Sequence, residues 1–379
     1  MKLAKIKKLS LKTYAIALII AFFVGLVLGG AIVYSQSSNE NITIVSGSFT
    51  ETASYVIFKV GDTIYAKNGT TGEIVYSGTD AISVIQSAIN SLTNGGTIYI
   101  AEGTYSLSSY IEISNNFVEI IMSPSATLYS QNTANSKTLP EGPVYFPIIV
   151  AENKHHIKII GGRIIGVEAG TPTDAIVIIN CQKVWIENVY IENCRNGDAI
   201  YIDKDNSEIL IDGIVYNYSV TSTTGNAGID IFNNKNGKIS VSNCKIYGGN
   251  KLNYGMLITD SSNIQIVNLE IHNCLSNGIW IEGYNTYSYP SSNTTITNII
   301  ISGVSNYQGL RITNATDISI SNCVISDIQS NWALYIDGAQ TNYIQGVNIN
   351  TRTCSQGIKI VEGSNIQLHL CWNGTSWIP

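Results

Sequence analysis

A chain of 379 residues that is 44% apolar and only 13% charged can bury a large core, which excludes an intrinsically disordered protein. The formal charge is −6, but five of the 21 basic residues (Lys2, Lys5, Lys7, Lys8 and Lys12) precede the first apolar run. The rest of the chain sets 16 basic against 27 acidic residues, a charge of −11 that argues against nucleic acid as a partner.

In chain order, residues 1–13 read as a basic cytoplasmic tail and residues 14–34 as a transmembrane signal-anchor. The uncharged run YAIALIIAFFVGLVLGGAIVY has the length of a bilayer span and no clear small-x-small cleavage site after it. Lysines on one flank only place the N-terminus inside, so the expected location is the cell membrane, single-pass, with everything after Ser35 extracellular. Gly25-x-x-x-Gly29 is a weak signal for helix pairing in that span. No oligomeric state is legible beyond it. Six sequons, at Asn41, Asn68, Asn217, Asn293, Asn314 and Asn373, fit an exported chain.

Residues 35–54 read as a linker, and 55–78 as a short β-meander turning at Gly61-Asp62 and Asn68-Gly69. Residues 79–95 form the next unit, a capping helix with Ile82, Ile85, Ile89 and Leu92 on one face. Thr79 or Asp80 starts it, and Asn94-Gly95 ends it.

Beyond the helix the chain repeats itself with spacings of 24 to 30 residues. One phrase is apolar-x-apolar-x-(Asn or Gly)-apolar-x-apolar, as in VWIENVYI, ISVSNCKI, IQIVNLEI and ISISNCVI. Its turn position is Gly161, Asn188, Gly213, Asn243, Asn268, Asn298, Asn322 and Gly346. A second phrase is a small residue followed by alternating apolar positions: AIVI, AIYI, GIDI, GMLI, GIWI, GLRI, ALYI and GIKI. Short period-two strands recurring at this interval describe a solenoid of parallel strands. The repeat fails at Leu370, so the last residues are expected to cover the open end.

These phrases resemble the coils of the right-handed parallel β-helix, the pectin-lyase-like fold, with the Asn and Gly positions as its turn ladder. The stretch TDAISVIQSAINSLTNGGTIYIAEGTYSL, residues 79–107, resembles the N-terminal cap of pectate-lyase-type members. The resemblance covers residues 79 to 372. It implies an all-β chain: a capping helix, a parallel β-helix solenoid over 96–372 and a tail at 373–379, preceded by one transmembrane helix. A similar meander leads into β-helices of archaeal surface proteins, so the likeness extends to an archaeal-type surface protein.

Coil phase separates Cys244 from Cys323, and Cys194 from Cys274, by three coils each, about 14 Å at the ~4.8 Å strand spacing and beyond disulfide reach. Free buried thiols are expected, with Cys354 and Cys371 the one pair left open. The four histidines (His155, His156, His272, His369) are scattered, so structural zinc is not expected.

Alternation within the second phrase points two columns outward. The first reads Val177, Tyr201, Asp230, Leu257, Trp280, Arg311, Tyr335, Lys359. The second reads Ile179, Asp203, Phe232, Thr259, Glu282, Thr313, Asp337, Val361. Tyr201, Trp280, Glu282, Arg311, Tyr335 and Asp337 suit a sugar-binding strip, since aromatic faces stack on pyranose rings and charged groups bond hydroxyls. The tyrosine-rich insertion after Glu282 would wall it. A plain solvated sheet face would show many of the same residues.

The resemblance implies polygalacturonase-type motifs on this face, Asn-Thr-Asp, Asp-Asp, Gly-His-Gly and Arg-Ile-Lys, none of which is complete here. A pectate-lyase site would need calcium. Asp203, Asp205 and Asp230 are the candidate ligands, but Arg311 lies three to four coils away. For hydrolysis, Asp203 and Asp230 on neighbouring coils, with Cα atoms ~8 Å apart, are the candidate acid and base. The negative charge favours neutral or amino sugars over pectate unless calcium bridges the two. The preferred reading is a membrane-anchored extracellular protein that binds a polysaccharide or surface glycan, with no cofactor other than that calcium. The alternative is a polysaccharide hydrolase or lyase with an atypical site.

Overall fold

Parallel stacking of identical coils puts like residues above like, and the turns of this chain show why Asn and Gly recur in it. The computed structural model describes residues 32–33, 44–45, 53–131, 136–138, 144–167, 172–283, 290–329, 331–338, 344–351, 353–361, 366–369, 371–372 and 376–378. The chain divides into two compact units, Met1–Thr52 and Ala53–Pro379. In the first, Ile32–Val33 pairs antiparallel with Ile44–Val45. The remainder of the expected membrane span lies outside the described residues, as do Asn41 and Asn373. No helix among the described residues is long and apolar enough to cross a membrane.

The second unit is a parallel β-solenoid. One sheet stacks ten strands, from Ile111–Ile113 through Pro147–Glu152, Asp174–Ile179 and Ile200–Asp203 to Gln356–Ile360. The rest of each coil is a two-legged strand, bent at one residue. Gln182–Glu187 and Tyr190–Glu192 meet at Asn188, and Ile239–Ser242 and Lys245–Tyr247 meet at Asn243. These bends are left-handed, with φ of 54° at Asn188, 53° at Asn243, 56° at Asn268, 57° at Asn298 and 54° at Asn322. Asn tolerates that conformation better than other side chains. It also gains a ladder: Asn268 Nδ2 donates to Asn243 Oδ1 at 3.0 Å, and Asn298 Nδ2 to Asn268 Oδ1 at 3.2 Å.

The last rung corrects the sequence reading. The turn residue is Asn348, at φ 56°, whose Nδ2 donates to Asn322 Oδ1 at 3.0 Å. Gly346 pairs with Ile320 and takes an inward place, where a Cβ would stand 2.6 Å from Leu368 Cδ2. Leu370 lies outside the described residues.

The helix covers Ala81–Asn90, shorter than the expected 79–95, and Asp80 caps it by accepting from Ser83 N at 3.1 Å. Ala81, Val84, Ile85, Ala88 and Ile89 are its buried stripe, and Ile82 sits at the edge of that stripe. The meander strands are Tyr55–Val60, Thr63–Asn68 and Ile74–Gly78. Tyr55–Val60 also pairs parallel with Gly96–Ile100, so the meander is continuous with the solenoid. Its second turn is longer than Asn68-Gly69, with Asn68 Oδ1 accepting from Thr70 N and Thr71 N. At the other end Cys371–Trp372 pairs antiparallel with Trp377–Ile378. All seven cysteines are free, Cys354 and Cys371 included; six are buried and Cys354 is half-buried.

Isoleucine rows fill the interior, and a second, polar ladder runs through them that the sequence reading misses. Cys181 N donates to Asn206 Oδ1, Asn206 N to Asn234 Oδ1, Asn234 N to Ser261 Oγ, and Ser261 N to Ser291 Oγ, at 2.7 to 3.2 Å. Each of these residues is buried, so the ladder satisfies backbone N–H groups at a corner where the sheet pairing stops. Cys181, Asn206, Asn234 and Ser261 come three or four positions after the last residue of the second phrase, and Ser291 follows its phrase after a longer insertion. That uneven spacing hides the ladder from a search for periodicity.

Candidate active site

The ten-stranded sheet carries the two outward columns in the order alternation sets. Tyr201 pairs with Val177 and Asp230, Leu257 with Asp230 and Trp280, and Arg311 with Trp280 and Tyr335, which in turn pairs with Lys359. In the second column Asp203 pairs with Ile179 and Phe232, and Glu282 with Thr259 and Thr313. The face therefore has an acidic half and, two rungs beyond Asp230, an aromatic half.

Asp203 and Asp230 meet as expected on neighbouring strands, and two further carboxylates join them, Asp174 and Asp198. All four are nearly enclosed, at 3% exposure for Asp203, 5% for Asp198, 6% for Asp230 and 8% for Asp174. Asp174 Oδ1 accepts from Asp198 N at 2.9 Å and its Oδ2 from Phe146 N at 3.4 Å. Asp198 Oδ1 accepts from Ala227 N at 2.7 Å and from Asn226 Nδ2 at 2.8 Å. The same Asn226 Nδ2 lies 3.4 Å from Asp230 Oδ2, so those two carboxylate oxygens are no more than about 6 Å apart. Asp230 Oδ1 is buried with no hydrogen-bond partner among the described residues. Asp203 Oδ1 accepts from Lys204 N at 2.7 Å, and Asn206 of the inner ladder holds the Asp203 carbonyl at 2.8 Å.

Burial, with the Asp174 and Asp203 charges added to it, pushes the Asp230 carboxyl up to about 8. Burial raises Asp198 well above the usual carboxylate range, reinforced by Asp230 and Asp174, and it raises Asp174 as well. Folded protein then keeps protons that the unfolded chain, with carboxyls near 4, has lost. The stability these protons confer is complete below about pH 4 and is lost as pH rises through about 8. The midpoint of urea unfolding is expected to be lower at pH 9 than at pH 5, with Asp230→Asn flattening the difference. A midpoint rising over that range would contradict the assignment.

Asp174 and Asp198 each stand directly before the small residue of the second phrase, in Thr173-Asp174-Ala175 and Gly197-Asp198-Ala199. That recurrence is the signal the sequence offers for them. Gly197 is required there, because a Cβ would lie 2.3 Å from Thr173 O and 2.6 Å from Asp174 Oδ1. Asp205, the third candidate calcium ligand, instead accepts from Lys235 N at 3.1 Å. Among the described residues no three His, Cys, Asp or Glu side chains are grouped to hold a metal ion.

In the aromatic half, the Arg311 guanidinium lies over the Trp280 ring, 4.5 Å from its centroid, and 5.9 Å from that of Tyr335. Tyr254 tilts against Trp280 at 5.6 Å, and Trp280 Nε1 donates to Thr313 Oγ1 at 3.0 Å. Asp337 accepts from the Tyr335 hydroxyl at 3.1 Å, which fixes that ring. Burial raises Glu282, with Arg311 opposing the shift. Among the described residues no ion pair joins Arg311 to Glu282 or Asp337; the arginine is held by rings, and its Nε has no hydrogen-bond partner. Tyr201 packs against the apolar trio Val150, Val177 and Ile179. The walling insertion lies outside the described residues at positions 284–289.

Of the described sequons, Asn68 forms a turn, Asn217 and Asn314 are half-buried, and Asn293 is exposed. Asn293 already uses its Nδ2 to bond Asn263 Oδ1 at 2.6 Å.

The family described as right handed beta helix region matches residues 174–289, the stretch that holds the acidic half and Trp280. No curated protein matches the chain. Among solved structures, a hyperthermoactive exopolygalacturonase from Thermotoga maritima is similar over 78% of this chain and 88% of its own, at 12% identity and a TM-score of 0.58. PfbA, a surface adhesin of Streptococcus pneumoniae, is similar over 77% and 86%, at 14% identity and 0.55. The polygalacturonase from Erwinia carotovora is similar over 76% and 92%, at 15% identity and 0.53. The chain is a right-handed parallel β-helix. At these identities the likeness is one of fold, and a β-helix of this kind serves a polygalacturonase and an adhesin alike.

Proposed function

We propose that this β-helix binds a polysaccharide along the outward face of its ten-stranded sheet and hydrolyses it at the acidic half. The observation that carries the reading is the pair Asp198 and Asp230, joined through one amide nitrogen, with Asp230 Oδ1 unpartnered among the described residues. Four buried carboxylates, three of them acting on one another by charge around Asp230, cost stability, and such a cost is characteristic of functional sites. In hydrolysis Asp230, protonated at neutral pH, gives its proton to the glycosidic oxygen as the bond to the anomeric carbon breaks. A water supplies the new hydroxyl at that carbon, deprotonated by Asp198, whose carboxylate the Ala227 N–H and Asn226 Nδ2 hold against the upward pull of its burial. Asp203 adds negative charge that favours a proton on Asp230.

The rungs of a parallel sheet repeat at about 4.8 Å, close to the length of one sugar residue in an extended chain. A polymer lying along the columns would then reach from Asp230 to Trp280 and Tyr335, with the rings as stacking platforms. Display outside a membrane through residues 14–34 is part of the proposal, supported by the lysine-flanked uncharged run. The adhesin-like reading, binding without chemistry, is favoured by one observation, the ring-held Arg311 strip, which needs no acid to bind a glycan.

The test is incubation of the full-length protein with neutral, amino and acidic polysaccharides, following new reducing ends and retention on the same polymers. Wild type is expected to be retained and to release reducing ends. Trp280→Ala is expected to weaken retention about tenfold, equivalent to about 1.4 kcal/mol. Retention unchanged in Trp280→Ala would remove the aromatic half from the site, and retention with no new reducing ends would leave a binding module.

A further inference from the structure

Asn226 lies between the two acids, and its partners are unequal. Its Nδ2 is 2.8 Å from Asp198 Oδ1 and 3.4 Å from Asp230 Oδ2. Asp198 has in addition the Ala227 N–H at 2.7 Å, whereas Asp230 Oδ1 has no partner among the described residues. Two short donors on one oxygen stabilise a carboxylate, and a buried oxygen with none favours the neutral acid. Asn226 is itself fixed, because its N–H donates to Gly197 O at 3.0 Å, one residue before Asp198.

Resting on the hydrolase reading, we propose that Asn226 is a positioning residue that sorts a single proton between the two acids, holding Asp198 as the carboxylate and leaving the proton on Asp230. The other groups facing the pair do not supply this asymmetry. Burial and the Asp230 and Asp174 charges push Asp198 up, and burial and the Asp174 and Asp203 charges push Asp230 up, so both acids are driven toward protonation; what pulls Asp198 back is the pair of donors on its Oδ1, Ala227 N–H and Asn226 Nδ2. Behind Asp198 the Cys194 thiol and Tyr216 phenol are both pushed up by burial and stay neutral. Tyr254, on the next rung from Asp230, is also raised by burial.

The test is a carboxyl-carbon NMR titration of the full-length protein carrying labelled aspartate, in wild type, Asn226→Ala and Asn226→Gln, with the pH dependence of polymer cleavage measured alongside. In Asn226→Ala the lower-titrating carboxyl of the pair is expected to move up by at least one pH unit, and the acidic side of the pH–rate curve, which the base sets, is expected to shift up with it. Asn226→Gln, which keeps an amide donor, is expected to recover much of the wild-type titration. Coincident titrations in wild type and Asn226→Ala, with both folded, would overturn the proposal. Should Asn226→Ala fail to fold, a Gln variant that titrates like wild type supports the proposal, and a wild type in which Asp230 loses its proton before Asp198 overturns it. The titration needs no turnover: a shift without cleavage would sink the hydrolase reading and leave the sorting intact, and cleavage without a shift would do the reverse.

Discussion

Asp230→Asn is expected to abolish polymer cleavage, by about 10²- to 10⁴-fold, while retention on the polymer stays within a factor of about two and resistance to urea at pH 8 and above increases. The three outcomes follow from one geometry. The amide cannot supply the proton, so the leaving oxygen departs unprotonated. The aromatic half, two rungs away at Trp280, is untouched, so binding persists. The buried carboxyl that would ionise as pH rises past about 8 is replaced by a neutral group, so the repulsion from Asp174 and Asp203 is relieved. A variant that loses activity by unfolding would show the opposite change in stability. Activity retained to within tenfold would exclude Asp230 as the proton donor.

Asn206→Ala is expected to be the most damaging single change outside the face, lowering stability by about 3 to 5 kcal/mol. Its Oδ1 accepts from Cys181 N at 2.7 Å, and its Nδ2 donates to Asp203 O at 2.8 Å and Lys204 O at 2.9 Å, all beside the apolar interior. Truncation leaves a buried N–H without a partner, at about 1 to 3 kcal/mol, opens a cavity, and frees a turn in which Lys204 holds a left-handed φ of 66°. The exposed ladder is the control: Asn348→Ala loses one solvent-facing bond and is expected to cost no more than about 1 kcal/mol beyond the strain of its φ. Urea midpoints of the two variants check this, and equal losses would mean that the inner ladder carries no special share of stability. Because Asn206 supports the Asp203 carbonyl, cleavage is expected to fall with it.

The columns of the outward face are legible in the sequence because parallel pairing preserves phase from coil to coil. A small residue followed by apolar-x-apolar marks the start of each strand, and every second residue must then face out. Trp280 and Glu282, opposite Ile279 and Ile281, are placed by that rule alone. Alternation fails where the pleat breaks. Asp174 opens its strand and Asp198 stands just before the next, while Asn206 and Asn234 lie at the corner after theirs, so inward and outward parity says nothing about them. The last turn fails for a different reason: IQGVNIN offers two phasings, and it is the left-handed φ of Asn348 with its bond to Asn322 that marks the turn, while Gly346 takes an inward place with no room for a Cβ beside Leu368. The place of Arg311 between two rings is likewise not a sequence property, since Glu282 and Asp337 are equally near it in register.

Two carboxylates within about 6 Å make chemistry available on this face, and water is the co-substrate the proposal requires. The most direct measurement is therefore mass spectrometry of oligosaccharides released from the same polysaccharides in heavy-oxygen water. Hydrolysis at Asp198 and Asp230 predicts fragments carrying one heavy oxygen at each newly formed reducing end, lost in Asp230→Asn. Unsaturated fragments without heavy oxygen, or no fragments from any polymer, would contradict it.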